Sequence, residues 1–229
     1  MQIQEIELKA VNRAEAYRYM GFGNTEPDEN IMKIIDEKEK ELLGVMRPKF
    51  IFDCFDISKN DKGVELIGTT LTLKGEAVSN HLKDCDKAVI MCATISQDVD
   101  KLIRQNEISN IFGALVLDGL ANAAVEQLCD VAELFISATM PEYNRTWRFG
   151  VGYGDFPMDT QKEFLNILNA PKYVGVCAND NNILTPRKSV TCVIGLSKKE
   201  VDGEASCSKC NFKDKCAISK EGGSCGGKQ

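Results

Sequence analysis

Two stretches of this chain carry residues whose types and spacing could do chemistry. The first reads Arg148-Phe149-Gly150-Val151-Gly152-Tyr153-Gly154-Asp155-Phe156-Pro157. Glycines at alternate positions leave one face of an extended segment without side chains, so a ligand or another backbone can approach closely. Arg148 offers a planar, permanently charged fork suited to a carboxylate or phosphate. Tyr153 adds a ring face and one hydroxyl. Read locally, the same letters also describe a glycine-bearing strand that turns into a helix, with Arg148 at the surface. The spacing is G-x-G-x-G, which is not the G-x-G-x-x-G of a dinucleotide-binding turn.

The second stretch is the tail. Cys207, Cys210, Cys216 and Cys225 fall as C-x2-C-x5-C-x8-C. Four thiolates can complete a tetrahedral zinc site or hold an iron–sulfur cluster. The close first pair brings two sulfurs to one metal, and Gly222, Gly223, Gly226 and Gly227 give the chain freedom to deliver the fourth. Lys209, Lys213 and Lys215 offset the negative charge. An all-cysteine set suits either metal centre.

Other chemistries lack their residues. His81 is the single histidine, and its surroundings, Val78-Ser79-Asn80-His81-Leu82-Lys83, contain no nucleophile elbow. There is no P-loop and no H-E-x-x-H. A net charge of -6 and a sequence pI near 5.0 argue against a general nucleic-acid binder and against docking on an anionic membrane. No signal peptide and no bilayer-spanning segment are expected, so the chain reads as cytoplasmic. In that compartment cysteines are not a disulfide framework. Cys54, Cys85, Cys92, Cys129, Cys177 and Cys192 then read mostly as small buried hydrophobes.

The elements that must position these residues can be traced in order. At 43% hydrophobic, the 229-residue chain can bury a real core. Residues 10–22 and the stretch after Pro27 read as two helices, the second burying Ile31, Ile34, Ile35, Leu42 and Leu43; together, residues 1–47 read as a partly solvated helical arm. Residues 50–57 and 64–67 read as a hairpin across Asn60-Asp61-Lys62-Gly63. Residues 77–82 read as a short helix. Residues 88–93 are a continuous apolar run, as in a strand covered on both faces. Ser96 is placed to cap a helix from Gln97. A long apolar helix runs from about Ile108 to Met140, with Asp118, Asn122, Glu126 and Asp130 on one face. That stripe faces either water or the cleft beside Arg148. Residues 173–178 and 189–196 read as strands, separated by the turn at residues 179–182 and the basic loop at 185–188. Elements mix without regular alternation, so the fold class is α+β: a mixed or antiparallel sheet packed with a long central helix. The domain spans residues 1–200. The small metal-binding tail, 201–229, has too few apolar residues to build a core of its own.

Set side by side, these stretches resemble the reactivation domain of cobalamin-dependent methionine synthase, and more closely its small stand-alone relatives. The carriers are Asn12-Arg13-Ala14-Glu15-Ala16-Tyr17-Arg18-Tyr19-Met20-Gly21, Cys92-Ala93-Thr94 with Asp100, Asn122 to Glu126, Arg148 to Pro157, Gln161, and Pro186-Arg187-Lys188-Ser189-Val190. The resemblance covers residues 5–197. It implies S-adenosylmethionine bound beside an oxidised cobalamin, whose cobalt is reduced by an electron donor and then methylated. It implies that Arg148 pairs with the methionine carboxylate, that Gly152 and Tyr153 line the site, and that Glu126 faces it. Asn122 stands where the synthase domain has an aspartate. The cysteine tail is no part of that domain. The chain also lacks the D-x-H-x-x-G motif for a lower cobalt ligand, so the corrinoid would ride on a partner methyltransferase protein.

Three readings follow. The chain is an accessory protein that reactivates a corrinoid-dependent methyltransferase while binding S-adenosylmethionine. Or its tail carries an iron–sulfur cluster and donates the electron. Or it is a zinc-stapled, non-enzymatic module that docks a methyltransferase or its corrinoid protein.

Overall fold

The computed structural model describes residues 1–23 and 25–203. In order, the first elements are β1 (Gln2–Glu5), α1 (Arg13–Tyr19), α2 (Glu29–Val45), β2 (Lys49–Asn60), β3 (Gly63–Leu66), β4 (Thr72–Leu73), α3 (Glu76–His81) and β5 (Lys87–Thr94). Then come α4 (Gln97–Ser109), α5 (Ile111–Thr139), β6 (Asn144–Arg145), β7 (Phe149–Gly150), α6 (Thr160–Ile167), α7 (Ala170–Tyr173), β8 (Cys177–Ala178), β9 (Leu184–Thr185) and β10 (Ser189–Ser197). The main sheet has the order β4-β3-β2-β5-β10-β6, with β1 on β2 and β7 on β10. The β1–β2, β2–β3, β3–β4, β10–β6 and β10–β7 pairs are antiparallel. This is the expected α+β class with its long helix.

Contacts divide the chain into two compact units. The first takes in Met1–Asp53, Met91–Phe135 and Gln161–Thr191. Its N-terminal part is more than a helical arm, because β1 precedes the helices and pairs with β2, Gln2 opposite Phe52. Asp28 caps α2 by accepting the Asn30 and Ile31 N–H groups, and α2 buries Ile35 and Leu42. Ile31, Ile34 and Leu43 are only half-buried, and Glu39 takes a buried place on α2 instead. Glu39 is satisfied there by the Val11 N–H and the Arg13 guanidinium. On α5, Phe135 meets Phe50 and Phe52 of β2 edge to face, at 5.7 and 6.1 Å. Gly119 lets Met20 lie against α5, since a Cβ there would fall 2.6 Å from Met20 Cγ. By length and apolarity α5 could cross a bilayer, contrary to the expectation that no segment could; 61% of its most apolar window is buried in the fold.

Two local expectations change in this unit. Ser96 caps nothing: its φ is 89° and its side chain bonds to no N–H of α4. The Thr94 hydroxyl takes the Ser96 N–H instead. And residues 173–178 are not one strand. Pro171 sits in the first turn of α7, where a proline is tolerated, and Gly175 turns the chain at φ 73°, leaving β8 with two residues.

The second unit takes in Cys54–Ile90, Ile136–Thr160 and the chain from Cys192. The expected hairpin is there: Asn60 pairs with Gly63 and Ile57 with Leu66. β6 and β7 lie against β10, Arg145 opposite Leu196 and Phe149 opposite Val193. Gly195 leaves room for a buried thiol, since a Cβ there would fall 2.3 Å from Cys85 Sγ.

Candidate ligand-binding site

In the second unit, the Arg148–Pro157 stretch is a strand for only two residues. After Gly150 it turns twice: the Tyr153 N–H donates to Gly150 O at 3.1 Å and the Phe156 N–H to Tyr153 O at 2.9 Å. Gly152 then donates to Phe156 O at 3.1 Å, closing the loop on itself. Gly152 has φ 92°, which is what calls for glycine here, and it lies against the Met158 side chain, whose Sδ a Cβ would meet at 2.3 Å. Gly154 also lies in the left-handed region, at φ 59°. The alternate glycines therefore serve a folded loop and not an extended bare face.

Rings pack behind this loop. His81 meets Trp147 at 4.8 Å and Phe149 at 5.0 Å. Phe149 in turn touches Trp147, Tyr153 and Phe156. The Thr146 hydroxyl lies 2.8 Å from His81 Nε2 and accepts the Gly195 N–H at 2.8 Å. The histidine is thus half-buried in a structural cluster. Arg148 is half-buried, while Tyr153 is 58% exposed, its ring nearly perpendicular to that of Phe149. The unit thus presents an arginine, an aromatic face and turned backbone along one short segment.

The loop has a further anchor that the local sequence conceals. Asp155 accepts the Glu76 N–H at 2.6 Å and the Ala77 N–H at 2.9 Å, both in the first turn of α3. These bonds, Ala77's first and then Glu76's, hold its carboxyl below the usual aspartate value.

In the first unit, the polar stripe on α5 meets a buried lysine. Lys188 Nζ lies 2.7 Å from Asp118 Oδ1 and donates to Asn122 Oδ1 at 2.7 Å. The Asn122 amide donates onward to Asp118 Oδ2 at 3.2 Å. The two residues are thus joined by an internal ammonium. Next to Lys188, the Arg187 N–H donates to the buried Asp100 at 2.8 Å. Further along α5, Glu126 is half-buried near Tyr19, whose phenol is raised first by burial and then by the Glu126 charge. Sequence reading named Lys188 in a basic loop and among the residues that carry the resemblance, with no partner assigned; its partners stand 66 and 70 positions away in the chain, beyond any local pattern.

Of the expected site residues, Arg148, Gly152 and Tyr153 fall together on one loop of the second unit. Asn122 and Glu126 fall on α5 in the first. Cys207, Cys210, Cys216 and Cys225 lie outside the described residues. Among the described residues, no group of three or more His, Cys, Asp or Glu is placed to hold a metal ion.

Among solved structures, the chain matches the crystal structure of the MetH reactivation domain bound to AdoHcy. The TM-score is 0.66 over 98% of this chain and 87% of that one, at 12% identity. The two share one fold. Neither a family model nor a curated protein matches the sequence. The MetH reactivation fold is the one that the sequence resemblance implies, reached here from backbone geometry.

Proposed function

We propose that this chain binds S-adenosylmethionine at the Arg148–Pro157 loop and serves in the reductive reactivation of a corrinoid-dependent methyltransferase carried on another cytoplasmic protein. The observation that carries the reading is the shared fold, whose solved example holds AdoHcy. AdoHcy is what S-adenosylmethionine becomes on giving up its methyl group. The loop supports the reading chemically. Arg148 offers a fork to the amino-acid carboxylate, Tyr153 offers a ring, and the backbone at Gly152 allows close approach. The resemblance also implies Glu126 and Asn122 as ligand-binding residues; on α5 the Asn122 amide is bonded to Lys188 and Asp118.

The corrinoid supplies the methyl acceptor once an electron donor has reduced its cobalt. This chain's part is to hold the methyl donor. Its tail cysteines would carry an iron–sulfur cluster on that electron path, or zinc as a staple. Iron and sulfide content of anaerobically purified protein decides between them, because zinc has no accessible redox change.

The test is calorimetry with S-adenosylmethionine. Wild-type protein binds it, and Arg148→Ala weakens binding by about 1.5–3 kcal/mol, the range for a charge-assisted pair. Absence of binding by the wild type, or equal binding by the variant, overturns the reading.

A further inference from the structure

Asp155 is the charged residue in the middle of the loop, between Gly154 and Phe156 and two positions from Tyr153. Its two carboxylate oxygens each take one N–H of α3, Oδ2 from Glu76 and Oδ1 from Ala77. Those N–H groups have no partner within a helix, and the residue at the cap position is Gly75, which has no side chain to offer them. The helix therefore draws its cap from a residue 79 positions away. Gly75 completes the fit. It has φ 119°, and a Cβ on it would fall 2.8 Å from the Asp155 carbonyl oxygen. Loop backbone and helix start thus lie in direct contact, at a position only glycine fits.

Two donors facing two acceptors require a carboxylate. An amide in its place would turn one NH2 group toward an N–H, donor against donor. Gly152 is tied back within the loop by its N–H, which donates to Phe156 O. Between these two fixings lies Tyr153, largely exposed, with its own N–H bonded back to Gly150.

We infer that Asp155 is a positioning residue. Its carboxylate latches the loop to the start of α3 and so fixes Tyr153 and the Gly152 backbone in the conformation that receives the ligand, without touching the ligand itself. The inference rests on the reading that this loop takes S-adenosylmethionine.

Asp155→Ala and Asp155→Asn, each made in the full chain, test it through two readouts. The first needs no ligand. Amide hydrogen exchange at Glu76 and Ala77, and across residues 152–156, accelerates by about tenfold in Asp155→Ala, with exchange in β5 and β10 unchanged. The second is affinity: the dissociation constant for S-adenosylmethionine rises by about tenfold in Asp155→Ala and by less in Asp155→Asn, which keeps one acceptor. Gly75→Ala, pushing on the latch from the other side, raises the constant too, and less than additively with Asp155→Ala. Unchanged exchange across residues 152–156 overturns the latch. Accelerated exchange with unchanged affinity shows a helix cap only and overturns the positioning role. If wild-type protein binds no S-adenosylmethionine, the ligand reading and the positioning role fall together, and exchange alone then decides whether the latch exists.

Discussion

In the Arg148–Pro157 loop, rings supply the packing and the Asp155 charge stays in water. Phe149 and Phe156 are buried, and Asp155 is exposed and bonded only to backbone N–H groups. Around Lys188 the arrangement is reversed. There the charge itself is buried, at 9% side-chain exposure, and its partners are side chains on α5. Losing a charge held in water loosens the loop around it and leaves the buried core intact. A buried ammonium cannot be stripped of its partners without leaving unsatisfied groups in a low-dielectric setting. The loop is therefore the better place for ligand chemistry, and the Lys188 cluster the better place for structural specificity.

The sharpest break of that comparison is Phe156→Ala. Phe156 is 2% exposed and stacks on Phe149 at 6.3 Å. Its loss should destabilise the protein by about 3–5 kcal/mol, the range for a buried phenylalanine truncated to alanine. Tyr153→Ala, at the other end of the same turn and mostly exposed, should cost under about 1 kcal/mol. Denaturant unfolding checks both, and similar losses in the two variants would mean that the rings do not hold the loop.

Next in size is Lys188→Met. It removes the buried ammonium and leaves Asp118 and Asn122 facing each other. The expected loss is about 2 kcal/mol, below the usual figure for a buried pair because the Asp118 side chain is 39% exposed. Adding Asp118→Asn should recover part of it, giving about 1 kcal/mol of coupling in the double-mutant cycle. Additive losses would show that the three groups do not act as a unit.

The two regions were unequally legible in the sequence. β2, β5, β10 and α5 were readable because each is a long apolar or alternating run, and β3 because the turn at residues 60–63 marks its start. β1 and the two-residue strand β6 were not, because so few residues carry no period of their own, and β7 was legible only as part of a longer glycine-bearing strand. The glycines were seen, but the letter is the same for a glycine in extended backbone and for Gly152 at φ 92°. Asp155 and Lys188 were on view as residues while their partners, Glu76 and Asn122, were set by tertiary approach. Arg148 and Tyr153 stood out because arginine, glycine and tyrosine cluster within a few positions, which is a local signal.

Ser96 gives a smaller effect with the opposite sign. It joins β5 to α4 at φ 89° and ψ 160°, a region that suits glycine, and its hydroxyl is buried without a hydrogen-bond partner among the described residues. Nothing in the first unit uses that hydroxyl. Ser96→Gly should stabilise the protein by about 1 kcal/mol, net of the extra chain entropy that glycine brings to the unfolded state. A loss in thermal stability would show that the hydroxyl has a partner under working conditions and that the strain there serves a purpose.

The last expectation has no effect at neutral pH and contrasts the two units through their titrating groups. Arg13, in the first unit, is held above its usual value chiefly by its hydrogen bond to Glu39, which outweighs burial. Cys85, in the second, is pushed up to about 11 chiefly by burial, which outweighs the nearby Lys59 ammonium. Burial favours the neutral thiol. Because the folded value lies above the unfolded one, this contribution to stability is complete below pH 9 and is lost as pH rises from there through about 11. The thermal midpoint of the wild type should therefore fall more steeply between those pH values than that of Cys85→Ala, while the two run parallel below pH 8. Lysines and tyrosines titrate in the same window, but they do so in both proteins and cancel in the difference. Parallel curves up to pH 11 would mean that the thiol ionises with water already at it, and that the second unit opens around Gly195 before its aromatic cluster does.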